Sequence, residues 1–354
     1  MLRDFNLTPI AESLTERERR VLEAIVQSYV ETAEPVGSRT VARRFGLGVS
    51  PATVRNAMSD LEEKGYLYHP HTSAGRVPTD RAYRLYVDSL MRFPAISAAQ
   101  EERLREDLVA EGSAISAIIH CAAQVLSVLT QELGVAVAPS LDSVVLERLE
   151  LLTAASDRLL LVLTLRSGVA RTVFVEVPRT LHAEAVASIS VVLNDRLAGL
   201  TLREIRQTLP ERVRDSAKTS AESELLDIFV ATGDQLFDLA NPAPDEVVIG
   251  RTSVLAEQPE FATGPKMREL IELTEQREVL RKALESRAHS VGLTVTIGGE
   301  NESESLSRLT LITAPYRSGP LSGVIGVLGP TRMPYEKVVA LVEHTSKLVG
   351  DLLR

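Results

Sequence analysis

Between Ser50 and Arg76 the chain carries side chains suited to reading hydrogen-bond patterns rather than to breaking bonds. In SPATVRNAMSDLEEKG, counting about 100° per residue from Val54 puts Ala52, Asn56, Ser59 and Glu63 away from the apolar side, with Thr53 and Arg55 on the flanks. Arg matches the acceptor edge of guanine, Asn that of adenine, and Ser and Thr hydroxyls adapt to either. A helix that is small and polar in its first turns, with its positive dipole end leading, suits entry into a major groove. The groove-facing candidates are therefore Ser50, Thr53, Arg55, Asn56 and Ser59. Arg39, with Arg43 and Arg44 on the preceding helix, and Arg76 beyond the following loop suit phosphate contacts, which fix register without reading sequence. The loop HPHTSAG offers His71, Thr72 and Ser73 as small donors that could lie along a backbone or in a minor groove. The competing reading is a solvated helix face that binds nothing.

The elements that would hold this face are legible around it. TERE from Thr15 to Glu18 forms a reciprocal capping box, and Val21, Leu22, Ile25, Val26, Tyr29 and Val30 make one apolar stripe behind it. A short helix follows Ser38, with Val41, Ala42 and Phe45 inward and Gly46 closing it in the left-handed conformation. Ser50 caps the third helix, Pro51 takes its first turn, and Gly65 ends it. Strand signals in GYLY and RVP flank the loop, and Thr79 caps a fourth helix. Three helices followed by strand, loop and strand predict a winged helix-turn-helix.

Beyond Phe93-Pro94 a charged helix and an apolar one, Ser113 to Leu133, suggest helix packing or a dimer seam. From Val144 the period changes to strands and a hairpin around Ser167-Gly168. Residues 181–240 return to helical composition, Asn241-Pro242-Ala243-Pro244 breaks them, and strand signals resume in EVVIGRTSVLA. A long helix from Lys266 to Ala288, three strands and a final helix complete the chain. The pattern predicts one α/β domain interrupted by a helical insertion.

The 354 residues exceed one ordinary core, and 44% hydrophobic with 25% charged residues describes a folded globular protein. No run is long and apolar enough to span a bilayer and the N-terminus lacks a signal-peptide pattern, so a cytoplasmic location is expected. The net charge of −9 hides an asymmetry, since residues 35–92 hold nine Lys/Arg against five Asp/Glu. Cys121, the single cysteine, lies in an apolar run and allows no internal disulfide, and the six His lack ligand spacing, so no metal or cofactor is expected. There is no GxSxG, GxxxxGK[ST] or HExxH motif, and the glycines of GVIGVLG have the wrong spacing for a dinucleotide fingerprint. Catalysis is the weaker class.

Three long stretches resemble the heat-inducible transcription repressor HrcA family: RERRVLEAIVQSYVETAEPVGSRTVAR, SPATVRNAMSDLEEKGYLYHPHTSAGRVPTDRAYRLYVDSLM, and APYRSG with LSGVIGVLGPTRMPYEKVVALVEHTSKLV. The resemblance implies an α+β multidomain protein: a winged helix over 1–93, and a GAF-like domain formed by 94–180 and 241–354. An inserted, mainly helical dimerising domain would span 181–240. It further implies a homodimer on an inverted-repeat operator in double-stranded DNA ahead of chaperonin operons, with the chaperonin keeping the repressor active and heat releasing it. Two other readings stay open: a metabolite-responsive regulator holding a small ligand in its GAF-like domain, and an enzyme acting on nucleotides.

Overall fold

The structure is a computed structural model that describes residues 14–46, 48–71, 75–91, 98–110, 115–139, 144–166, 170–178, 182–214, 216–217, 219–237, 247–288, 290–319 and 321–353. The chain divides into two compact units. The larger holds the residues up to Val137 with Val247–Tyr316 and Val324–Leu353; the smaller holds Ala138–Glu246 with Arg317–Gly323. No helix among the described residues is long and apolar enough to cross a membrane.

The larger unit begins with α1 (Glu16–Thr32), α2 (Ser38–Arg44), α3 (Pro51–Glu63), β1 (Leu67–Tyr68), β2 (Val77–Pro78) and α4 (Asp80–Leu85), the winged helix-turn-helix expected. The capping box at Thr15 is present: the Glu18 N–H donates to Thr15 Oγ1 at 3.3 Å, and the Thr15 N–H donates to the Glu18 carboxylate at 2.7 Å. Val36 bridges Arg76, so the strand pair of the wing gains a third segment from the turn after α1. Val21, Leu22, Ile25, Val41, Val54, Met58, Leu61 and Leu67 are buried together beneath it.

α5 (Ala98–Ala110) and α6 (Ile115–Thr130) lead into β3 (Leu133–Val137), and the unit resumes with β7 (Val247–Ile249) after the smaller one, described below. α10 (Ser253–Ala256), α11 (Gly264–Glu275), α12 (Arg277–Ala288), β8 (Thr294–Ile297), β9 (Leu309–Ser318), β10 (Leu321–Pro330) and α13 (Tyr335–Leu352) complete it. The five strands form one sheet in the order β7-β3-β10-β9-β8. Ala136, Ile312, Ile325 and Val327 face the core shared with α6 and α13, whereas Val135, Leu311, Val324 and Leu328 face α11 and α12. Both faces are covered, which is why GVIGVLG reads as an unbroken buried strand.

Three expectations are corrected. The helix predicted to reach Leu133 stops at Thr130, because Gln131 takes a left-handed conformation (φ 61°) and LGVAV becomes the interior strand β3. Of the two uses read for the apolar face of α6, helix packing is the one seen, against α13 and the sheet. The long helix breaks at Gln276 into α11 and α12, and only Val247–Ile249 of EVVIGRTSVLA is strand. Finally, the strands expected to belong to the GAF-like domain do not join its sheet. Phe93-Pro94, the Ser167-Gly168 turn and the 241–244 break lie outside the described residues.

In the smaller unit β4 (Leu146–Ala155), β5 (Arg158–Leu165) and β6 (Ala170–Glu176) make a separate antiparallel sheet, order β4-β5-β6, with α7 (Ala183–Leu197), α8 (Leu202–Val213) and α9 (Ser220–Phe237). Asn194 of α7 seals the β4 edge, its amide accepting from the Leu149 N–H at 2.9 Å and donating to the Leu149 carbonyl. The insertion therefore begins near Ala138 rather than at residue 181, and it is a mixed sheet-and-helix unit rather than a mainly helical one. Alternating strands cannot announce from sequence which of two sheets they will join.

Candidate nucleic-acid interface

α3 starts where the sequence places it. Ser50 Oγ accepts from the Thr53 N–H at 3.2 Å and lies 3.0 Å from Thr53 Oγ1, with Pro51 in the first turn. Val54, Ala57, Met58 and Leu61 point inward, leaving Ala52, Arg55, Asn56, Asp60 and Glu63 exposed. Arg55 and Asn56 have no side-chain partner among the described residues, and neither do Arg39 and Arg43 on α2, both exposed. Arg44 is engaged, paired with Glu31 and lying 5.8 Å above the Phe45 ring. The Ser50 and Thr53 hydroxyls cap the helix, and the half-buried Ser59 turns its Oγ back to the Arg55 carbonyl at 3.2 Å.

The wing is tied to α3 by a carboxylate that sequence reasoning did not single out. Glu62 Oε2 lies 2.8 Å from Arg76 Nη2, and Glu62 Oε1 lies 2.7 Å from His69 Nδ1. The Arg76 side chain is only 14% exposed. Arg76 therefore does not extend freely toward a phosphate as expected; it braces the wing's base, and its backbone continues the bridge to Val36. His71 is exposed, while Thr72 and Ser73 lie outside the described residues.

The same end of the helix has a second anchor. Lys64 donates to the buried Glu18 at 2.6 Å, fastening the end of α3 to the start of α1. Burial alone would raise the Glu18 carboxyl, but the hydrogen bonds from Lys64 and Thr15 outweigh it and hold the group below its ordinary value. Arg81 stacks 4.7 Å over the Tyr66 ring and donates to the Lys64 carbonyl at 2.9 Å. The exposed polar face is thus carried on a helix capped at Ser50 and tied at its C-terminal end to both the wing and α1.

The reader is also joined to the GAF-like sheet within the larger unit. Arg84 of α4 holds Glu300 with two hydrogen bonds, at 2.9 and 2.6 Å, and reaches the Val295 carbonyl at 2.6 Å. Arg332, between β10 and α13, donates to the Val30 carbonyl in the last turn of α1 at 2.8 Å and to the Glu260 carboxylate at 2.6 and 2.9 Å. Beside it Glu132 is 1% exposed, with one carboxylate oxygen unpartnered. Burial pushes this carboxyl well above its ordinary value, against the opposing pull of Arg332.

Sequence comparison decides what this arrangement belongs to. Residues 116–339 match the HrcA protein C-terminal domain, and residues 11–75 match the LexA DNA-binding domain. The chain belongs to the HrcA family of heat-inducible transcription repressors. It is 39% identical to the heat-inducible transcription repressor HrcA of Chlorobium phaeobacteroides, over 96% of this chain and 98% of that protein. The repressor of the same name from Geobacter sulfurreducens is 38% identical over the same shares of the two chains. A crystal structure of a hypothetical protein, 22% identical and covering 96% of this chain and 99% of that one, shares the fold with a TM-score of 0.64. Membership makes the chain a DNA-binding transcription repressor of the heat-shock class and not an enzyme.

Proposed function

We propose that the chain acts in the cytoplasm as a homodimer, binding an inverted-repeat operator ahead of chaperonin operons. Its α3 would enter the major groove of each half-site. The observation that carries this reading is the pair Arg55 and Asn56, exposed and without side-chain partners among the described residues, on a helix whose C-terminal end is tied to the wing and to α1. Arg39 contacts phosphate, Ser50, Thr53 and Ser59 line the helix's approach, and His71, Thr72 and Ser73 approach the backbone from the wing. Arg76 serves by holding the wing in place.

A second copy is favoured by the open face of the smaller unit's sheet. Leu152, Leu160 and Phe174 stand directly opposite one another across three strands, and Leu152 and Phe174 are 50% and 62% exposed. A two-fold pairing of such faces would match a two-fold operator. Regulation by the chaperonin is favoured by the interrupted sheet, whose interior strand β3 must wait for strands that follow a whole inserted unit, leaving apolar surface open during folding.

The decisive experiment is a gel shift of the full chain on a chaperonin-promoter fragment against scrambled DNA at fixed salt. Preference for the promoter is expected, and equal affinity for both would overturn the reading. Refolding with and without chaperonin tests the regulation, with equal recovery of operator binding counting against it.

A further inference from the structure

A cavity of about 570 Å³ opens beside α11 in the larger unit, walled by the chain around Glu304–Leu309 and by Pro330-Thr331. Its apolar side is Phe261, Leu270, Leu273 and Leu309. Around this lie four carboxylates, Glu260, Glu269, Glu272 and Glu304, against two cations, Lys266 and Arg308. The balance is acidic, and two of the carboxylates, Glu272 and Glu304, have no side-chain partner among the described residues.

Glu260 makes this wall more than a surface cleft. It is the residue that Arg332 grips at 2.6 and 2.9 Å, and the same guanidinium holds the Val30 carbonyl at the end of α1. Glu260 lines the cavity together with Glu272 and Glu304, so a cation bound there shares its wall with the carboxylate that Arg332 holds. Anything that loosens Arg332 releases one of the ties between the sheet and the reading head.

We propose that this cavity binds a small amphipathic cation, a compact apolar body carrying a primary ammonium group, and that its occupancy weakens DNA binding through Glu260 and Arg332. The ammonium is held by Glu272 and Glu304, and the apolar body packs on Phe261, Leu270 and Leu273. Binding in the cavity stands independently of the operator reading; the coupling rests on it.

The test uses the full chain with benzylamine, and with benzyl alcohol and benzoate as neutral and anionic counterparts of the same body. Calorimetry should show saturable, one-site binding of benzylamine, at least about tenfold tighter than the alcohol, and lost by a similar factor in the double variant Glu272→Gln/Glu304→Gln. Equal binding of all three probes, or a double variant that binds benzylamine like the parent, overturns the site. The second arm measures promoter affinity at constant ionic strength. Benzylamine should weaken it several-fold in the parent and leave the double variant unchanged, and by linkage bound DNA should weaken benzylamine by the same factor. Benzylamine binding without any change in promoter affinity overturns the coupling. A protein that ignores the promoter without amine refutes the operator reading instead, while the calorimetric arm still decides the cavity.

Discussion

Glu62 divides its carboxylate between the two sides of the wing, one oxygen 2.8 Å from Arg76 Nη2 and the other 2.7 Å from His69 Nδ1. Both partners lie beyond the helix that carries Glu62, so one side chain sets the angle between α3 and the wing. Arg76 is largely covered while Glu62 and His69 are about a third exposed, so solvent screens both pairs in part and each contributes about 0.2–1 kcal/mol. Glu62→Gln should therefore leave the thermal transition nearly unmoved while lowering operator affinity by up to about fivefold. Fluorescence anisotropy beside a melting curve checks both; a large loss of stability with unchanged affinity would count against the bracing role.

Arg39 and Asn56 should fail in different ways. If Asn56 reads a base as proposed, Asn56→Ala should cost roughly 1–3 kcal/mol of discrimination between promoter and scrambled DNA. Arg39→Ala should weaken both DNAs alike and reduce the salt slope by about 1. Titrations at several salt concentrations separate the two, and identical behaviour of the variants would contradict the division of labour.

Glu132 should make stability fall with rising pH. Its carboxyl is held well above the ordinary value of 4.5, so the unfolded chain loses the proton first as pH rises. The group's contribution is complete below that ordinary value and is lost progressively from there upward to the raised folded one. Glu132→Gln removes this dependence. The Gln variant should melt higher than the parent at about pH 8, with the difference closing on acidification, as calorimetric scans across pH would read.

Gly134 marks the tightest approach of α6 to the sheet. A Cβ there would collide with the Ala123 carbonyl, and the Gly134 N–H donates to Ser127 Oγ at 2.7 Å. Ser127 also accepts from the Arg251 N–H at 3.1 Å, locking α6 to β3 and the chain after β7. Gly134→Ala should destabilise by at least about 1–3 kcal/mol, the usual cost of overpacking. Gly299, with nothing near its would-be Cβ, should accept Ala without measurable loss. Denaturant midpoints of the two variants give the comparison.

The reading head was legible in the sequence because its determinants are local. The Thr15 and Ser50 caps, Pro51, and the left-handed Gly46 and Gly65 each act within a few residues and stand where the residue types put them. What escaped depends on distant partners. β3 looks like the tail of a helix until strands more than a hundred residues later pair with it, at Val247–Ile249 and Val324–Leu328. The same holds for β4, β5 and β6, whose alternation fits either sheet. Arg76 read as a free cation because nothing in its neighbourhood of sequence shows that the α3 carboxylate Glu62 will reach it. The Arg332 junction joins Val30 to Glu260, a link no local pattern encodes.

That junction also has an order of manufacture. The winged helix is complete by residue 91, whereas Glu260, Glu300 and Arg332 leave the ribosome only after the whole inserted unit. At about 5–20 residues per second, roughly 10–50 s separate the finished reader from its last anchor. For that interval each nascent chain carries a DNA-reading head with no sheet behind it, so the ties at Arg84 and Arg332 are made last and distinguish a mature repressor from one still being born.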